Sequence, residues 1–120
     1  MAGRLSDLRY GRIVWAEVKD RRGYRKVRPC IILTPTHEIV SNEPLVLMAV
    51  STTFPDPAPP DHILLPYHPD PRRVRTRLAR RSAAVVPWLI SVYADEISGV
   101  IGDVPQTILR EIQARLHGGP

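Results

Sequence analysis

The sequence predicts a mainly β chain, a small antiparallel barrel with one C-terminal α-helix. Three observations carry this. Six short apolar runs, rich in Val, Ile and Leu, are broken by Pro, Gly and polar turns. The runs lie close together in sequence, which favours antiparallel neighbours. The last stretch changes from a strand period to a helical one. At 120 residues the chain is expected to form one domain, residues 1–120, with a modest core and no linker.

The elements follow in order. Ile13–Val18 is β-branched and aromatic, and reads as the first strand. Lys19–Lys26, with Gly23 near its centre, reads as a charged hairpin loop. Cys30–Leu33 is a continuous apolar run, as expected of a strand buried on both faces. Pro29 sits near its start, where the missing N–H is tolerated, and Pro35 ends it. Leu45–Val50 is a third strand of the same kind, preceded by the turn Ser41-Asn42-Glu43-Pro44. Residues 51–61 hold four prolines, which exclude helix and most pairing, so an ordered loop is expected. His62–Leu65 is a short strand ended by Pro66. Pro69–Arg81 is a polar connection. Ala83–Tyr93 reads as a strand whose Pro87 calls for an edge position or a bulge. Ile97–Ile101 completes the set. Ile108, Leu109, Ile112 and Leu116 then form a helical stripe, with Pro105 suited to the first turn and Gly118 to the position beyond the end.

Composition narrows the function. Aromatic residues are 6% of the chain, so the core rests on Val, Ile and Leu. Seventeen Lys and Arg against twelve Asp and Glu give a net charge of +5, which favours a polyanion partner over an acidic small molecule. Cys30 is the only cysteine, which excludes an internal disulfide and a Cys-rich zinc site; it reads as a small core hydrophobe. The four histidines, at 37, 62, 68 and 117, make no close pair, so no metal site and no cofactor are expected. No apolar run reaches the roughly 18 residues of a membrane helix. The N-terminal stretch lacks the apolar segment of a signal peptide, so the cytoplasm is the expected compartment, without membrane contact.

The positive charge is clustered. Lys19–Arg28 holds six cations and one acid, Asp20; Arg72–Arg81 holds six arginines in ten residues. Both stretches read as loops, where binding groups tend to sit. Converging on one face, they would make a track for phosphates. Taken alone, the pattern fits nucleic acid or an acidic peptide equally, and a solvated charged surface is the plain alternative.

The run Gly11-Arg12-Ile13-Val14-Trp15, a short charged loop, then Arg28-Pro29-Cys30-Ile31-Ile32-Leu33-Thr34 resembles the opening of the MazF/PemK toxin family. That family begins with a G-x-(I/V)-(V/L)-W strand, a variable loop, and an R-P followed by an aliphatic strand. Its third strand ends in Ser/Thr, matched here by Leu47-Met48-Ala49-Val50-Ser51-Thr52-Thr53. The likeness continues through Ser82–Trp88, Ile101-Gly102 and the last helix, and so covers nearly the whole chain. It implies an SH3-like barrel that forms a homodimer. It implies the toxin of a type II toxin–antitoxin pair: a metal-independent, sequence-specific endoribonuclease, an mRNA interferase acting on single-stranded RNA. A small acidic antitoxin is the implied partner, with DNA binding by the joint complex.

The resemblance places the family arginine on Arg28 and the family hydroxyl on Thr52, or on Ser51 if the register slips by one. Lys19, Arg25, Lys26, Thr53, Arg73 and Arg75 are the expected substrate contacts. The implied chemistry is attack of the RNA 2′-OH on the adjacent phosphate, giving a 2′,3′-cyclic phosphate and a 5′-OH. Arg28 offers a planar fork of donors suited to phosphate oxygens. Arginine is a poor proton carrier at neutral pH, so Arg28 reads first as an electrostatic stabiliser.

The sequence also departs from the family. The loop before Arg28 carries Asp20 where many members have Glu, and Val85-Val86-Pro87-Trp88 stands in place of a D-Q segment. The departures keep a second reading open, a non-catalytic barrel that binds nucleic acid or an acidic peptide. A third, gyrase inhibition, rests only on a sister toxin family sharing the barrel.

Overall fold

The computed structural model describes residues 5–118. Six strands form one antiparallel sheet: β1 (Arg12–Lys19), β2 (Arg25–Ile32), β3 (Leu45–Ser51), β4 (His62–Leu65), β5 (Ser82–Val92) and β6 (Ile97–Asp103). They are ordered β4-β5-β3-β2-β1-β6. One helix, α1 (Gln106–Leu116), follows. The chain is mainly β, as its sequence predicts. The expected barrel stays open, because β4 and β6 end the sheet without pairing to each other.

The continuous apolar runs become central strands because both sheet faces are covered. Along β2 and β3, successive side chains enter two different cores. Cys30, Ile32, Leu47 and Ala49 join Val14, Ala16, Val18 and Ile97 on one side. Ile31, Met48 and Val50 join Ile13, Leu78, Leu109 and Ile112 on the other. The strand period of two thus produces two apolar layers from an unbroken apolar sequence.

The β1–β2 connection is shorter than the sequence suggests. Lys19 pairs with Arg25, so residues 20–24 alone make the turn. Asp20 builds it: one carboxylate oxygen accepts the N–H of Arg22 (2.9 Å) and of Tyr24 (3.0 Å). Gly23 supplies the left-handed residue, with φ +87°. Arg25, Lys26 and Val27 are exposed strand residues. Their charge imitates a loop because this end of the hairpin projects beyond β3, which pairs only Cys30–Ile32. Pro29 lies on the unpaired length and breaks no β2–β3 ladder bond.

Of the two readings of Pro87, the structure gives the bulge. Val50 pairs with Ala84 and Met48 with Leu89, so Val85–Trp88 stand opposite Ala49 alone.

The segment before β5 is anchored despite its polarity. Thr76 is fully buried, and its hydroxyl donates to the Pro66 carbonyl (2.7 Å). Asp103 donates its N–H to the Arg75 carbonyl (2.9 Å). Gly102 permits this contact, since a Cβ there would stand 2.4 Å from the Thr76 carbonyl oxygen. Leu78 enters the second core.

α1 begins just after Pro105, whose carbonyl accepts the N–H groups of Ile108 and Leu109, both at 3.0 Å. Its stripe of Ile108, Leu109, Ile112 and Leu116 covers the second core. Gly118, at φ +78°, lies beyond the helix end as expected.

Candidate functional site

The projecting end of β2, the end of β3 and the anchored segment before β5 enclose a cavity of about 430 Å³. Lys26 and Arg28 line it from β2, Thr52 from just past β3, and Arg77 and Arg80 from the anchored segment. Both cationic clusters therefore reach one site. Such a concentration attracts phosphate, and the cavity's confinement strengthens each interaction.

Arg28 is half-buried, and its guanidinium carbon lies 5.1 Å from the Trp88 ring centroid. Its Nε is buried and meets no acceptor. No carboxylate pairs with Arg28 among the described residues. An unpaired buried donor costs about 1–3 kcal/mol, so a site that keeps one is suited to an external acceptor. The aromatic face holds the cation without consuming its N–H donors.

Ser51 and Thr52 have different surroundings. The Ser51 hydroxyl donates to the Thr53 carbonyl (3.0 Å) and accepts the Thr53 N–H (3.2 Å), closing a local turn. Ser51 is buried; Thr52 is exposed and lines the cavity. Thr53 is exposed, with its backbone engaged by Ser51, and lies outside the cavity lining.

The other expected contacts lie elsewhere. Arg25 donates to Glu17 at 3.2 Å, over a separate groove. Lys19 lines that groove and a second cavity beyond Trp88. Arg73 faces Asp70 at 3.7 Å, and Arg75 is exposed, with its backbone tied to β6. Arg77, Arg80 and Trp88 were not singled out from the sequence. The arginine run signals the region, but nothing in it tells which arginines line the cavity. Arg77 also has a left-handed backbone, φ +58°, a conformation that costs a non-glycine residue of order 1 kcal/mol. That strain falls at the cavity wall.

Asp20 does not take the place of the absent Glu beside Arg28: its Oδ1 is engaged by two backbone N–H groups of the turn, and it lines the other cavity. Beneath the site, Cys30 is fully buried, and its thiol donates weakly to the Arg28 carbonyl (3.6 Å). Burial pushes that thiol up to about 12, against a smaller downward pull from the Arg28 charge. It acts as core, as its sequence setting implies.

The proline-rich loop after Thr52 is clamped. Arg81 donates to the carbonyls of Phe54 and Pro55, both at 3.0 Å, with its guanidinium carbon 4.0 Å above the Phe54 ring. The Phe54 ring meets His62 at 5.5 Å between centroids. Val86 donates its N–H to the Asp61 carbonyl (3.0 Å), which fixes the far end. The loop that begins at Thr52 is thus tied along its length to β4 and β5.

Residues 9–118 match the family model described as PemK-like, MazF-like toxin of type II toxin-antitoxin system. No curated protein sequence matches the chain. Among solved structures, MazF from Deinococcus radiodurans superposes with a TM-score of 0.71 at 16% identity, covering 92% of this chain and 94% of that one. A MazE-MazF crystal structure from the same organism gives 0.68 at 15% identity, over 92% and 94%. An endoribonuclease in complex with its cognate antitoxin from Mycobacterial species gives 0.66 at 17%, over 94% and 97%. At these identities the likeness is one of fold.

Proposed function

The chain belongs to the PemK-like, MazF-like toxin family of type II toxin–antitoxin systems, and from that membership we propose that it is an endoribonuclease cleaving single-stranded RNA in the Arg28–Thr52 cavity. One observation supports the reading above the others. Arg28, with free donors and an aromatic backing, shares a small cationic cavity with an exposed hydroxyl.

In this reading the scissile phosphate enters among Arg28, Thr52, Arg77 and Arg80. The substrate supplies the nucleophile, its own 2′-OH. Attack forms the 2′,3′-cyclic phosphate, and the P–O5′ bond breaks to leave a 5′-OH. Negative charge grows on the non-bridging oxygens, and Arg28 stabilises it without reorganising, because Trp88 and the strand already hold it. Thr52 donates its hydroxyl to the same phosphate. Lys26, Arg77 and Arg80 orient the neighbouring chain. The reaction takes place in the cytoplasm, needs no metal ion, and is performed by a homodimer that a small acidic antitoxin neutralises.

Incubation of purified protein with single-stranded RNA and a chelator tests this. Cleavage to cyclic-phosphate and 5′-OH ends is expected. Intact RNA throughout, with salt-dependent binding, would instead establish the non-catalytic barrel, a reading favoured by the engaged Asp20 carboxylate.

A further inference from the structure

A second cavity, of about 660 Å³, lies beyond Trp88, between the β1–β2 turn, the start of β4 and the β5 bulge. We propose that it is a nucleotide subsite, holding a base and phosphate of the same RNA strand whose scissile bond occupies the Arg28–Thr52 cavity. The proposal rests on the ribonuclease reading.

Three features give the ligand its chemistry. Lys19, Arg21 and Arg22 line the cavity, and among the described residues their side chains have no ion-pair or hydrogen-bond partner. Two carboxylates also line it, Asp20, held in its turn, and Asp61, beside His62. Three cations against two anions leave the lining net positive, which suits a phosphate. Tyr24, 70% exposed, and Trp88 provide flat aromatic surface, on which a base can stack whatever its identity.

His62 supplies a directed polar group. Its Nδ1 lies 2.7 Å from Asp61 Oδ1, and its side chain is 14% exposed. In the tautomer whose Nδ1–H donates to the Asp61 carboxylate, Nε2 faces outward as an acceptor for a base amino group or a sugar hydroxyl. Phe54 holds the ring in place. This fits a nucleotide better than an acidic peptide, which has phosphate-like charge but no flat ring for Tyr24 and Trp88.

Trp88 joins the two sites. It lines the second cavity, and the guanidinium of the first lies over its ring. A strand leaving the Arg28 cavity meets the second one across a single indole.

The test uses full-length protein and 2′-O-methyl oligonucleotides of mixed sequence, which lack the nucleophile and stay uncut. A hexanucleotide spans both cavities; a dinucleotide fills one. The double variant R21A/R22A is expected to bind the hexanucleotide about tenfold more weakly, with the log–log salt slope reduced by about 1.4. His62→Ala is expected to weaken hexanucleotide binding as well, and both variants weaken the hexanucleotide more than the dinucleotide, which can still occupy the Arg28 cavity. Hexanucleotide binding within twofold of wild type in both variants, or an equal loss for both oligonucleotides, overturns the subsite. So does tight binding of polyglutamate that the hexanucleotide does not displace. If His62→Ala fails to fold, the double variant decides, since it alters exposed turn residues. Cleavage of all-ribose RNA by wild type is scored separately, so loss of the nuclease reading leaves the binding result intact.

Discussion

Arg28 on β2 and Trp88 on β5 meet at 5.1 Å although β3 lies between their strands. Two local irregularities make this possible. β2 runs past the last residue that β3 pairs, and β5 bulges over Val85–Trp88. The side chains thus meet where the regular ladder has ended.

Arg28→Ala is expected to lower the cleavage rate by about 100-fold or more, the usual loss for one preorganised charge donor. Arg28→Lys restores little, because an ammonium lacks the planar fork and stacks less well on Trp88. Single-turnover cleavage of a labelled RNA measures both. A rate within a few-fold of wild type in the alanine variant removes Arg28 from the mechanism.

Ser51→Ala and Thr52→Ala are expected to separate cleanly. Thr52→Ala reduces cleavage and leaves thermal stability near wild type, since Thr52 is exposed and no side-chain bond is lost. Ser51→Ala costs about 1 kcal/mol of stability through the lost turn bonds, with a milder effect on rate. The reverse pattern would move the functional hydroxyl to Ser51.

Arg81→Ala releases the loop that starts at Thr52. Its two carbonyl bonds come from a charged donor, so a loss of about 1.5–3 kcal/mol is expected. The loop becomes susceptible to limited proteolysis, and kcat falls more than KM rises. Unchanged protease resistance would show that the other loop contacts suffice.

Gly102→Ala forces a Cβ against the Thr76 and Arg75 carbonyls. Destabilisation of about 3 kcal/mol is expected from such overpacking. Any folded fraction should cleave poorly, because Arg77 and Arg80 leave with their segment. Chemical denaturation alongside cleavage assays reads both effects.

Cys30 gives a pH signature. Its thiol is raised from the ordinary 9.0 to about 12 in the fold. Between these values the unfolded chain has lost a proton that the folded chain keeps. Stability therefore falls as pH rises from about 9 towards 12. Cys30→Ala removes that slope, at the cost of a small cavity. Urea unfolding at several alkaline pH values compares the two proteins. Rapid thiol alkylation of folded wild type at pH 8 would contradict the burial.

The strands and helix were legible because a period of two or 3.6 is a local property of the chain. Cys30–Leu33 and Leu45–Val50 read as strands buried on both faces; Cys30–Ile32 are so, and Leu45–Val50 are except for the exposed Val46, while Leu33 lies past the end of β2. The β1–β2 turn was read too long because Arg25 and Lys26 are charged. Charge marks exposure, and a projecting strand is as exposed as a loop. Pro87 announced an irregularity without its kind, which depends on how β3 pairs across it.

For the candidate site, the sequence determined the ingredients: an arginine entering an aliphatic strand, hydroxyls ending the next, and two cationic stretches. It also placed the chain beside one toxin family through motifs spanning its first fifty-odd residues. The tertiary structure decided which members meet. It set Arg77 and Arg80 on the cavity wall while Arg73 faces Asp70, put Thr52 at the cavity and Ser51 in a turn, and laid Arg28 over Trp88. The physical reason is range. Periodicity and turn chemistry act over a few residues, whereas these meetings depend on register across strands tens of residues apart, and a bulge or the end of a pairing changes which side chains face each other.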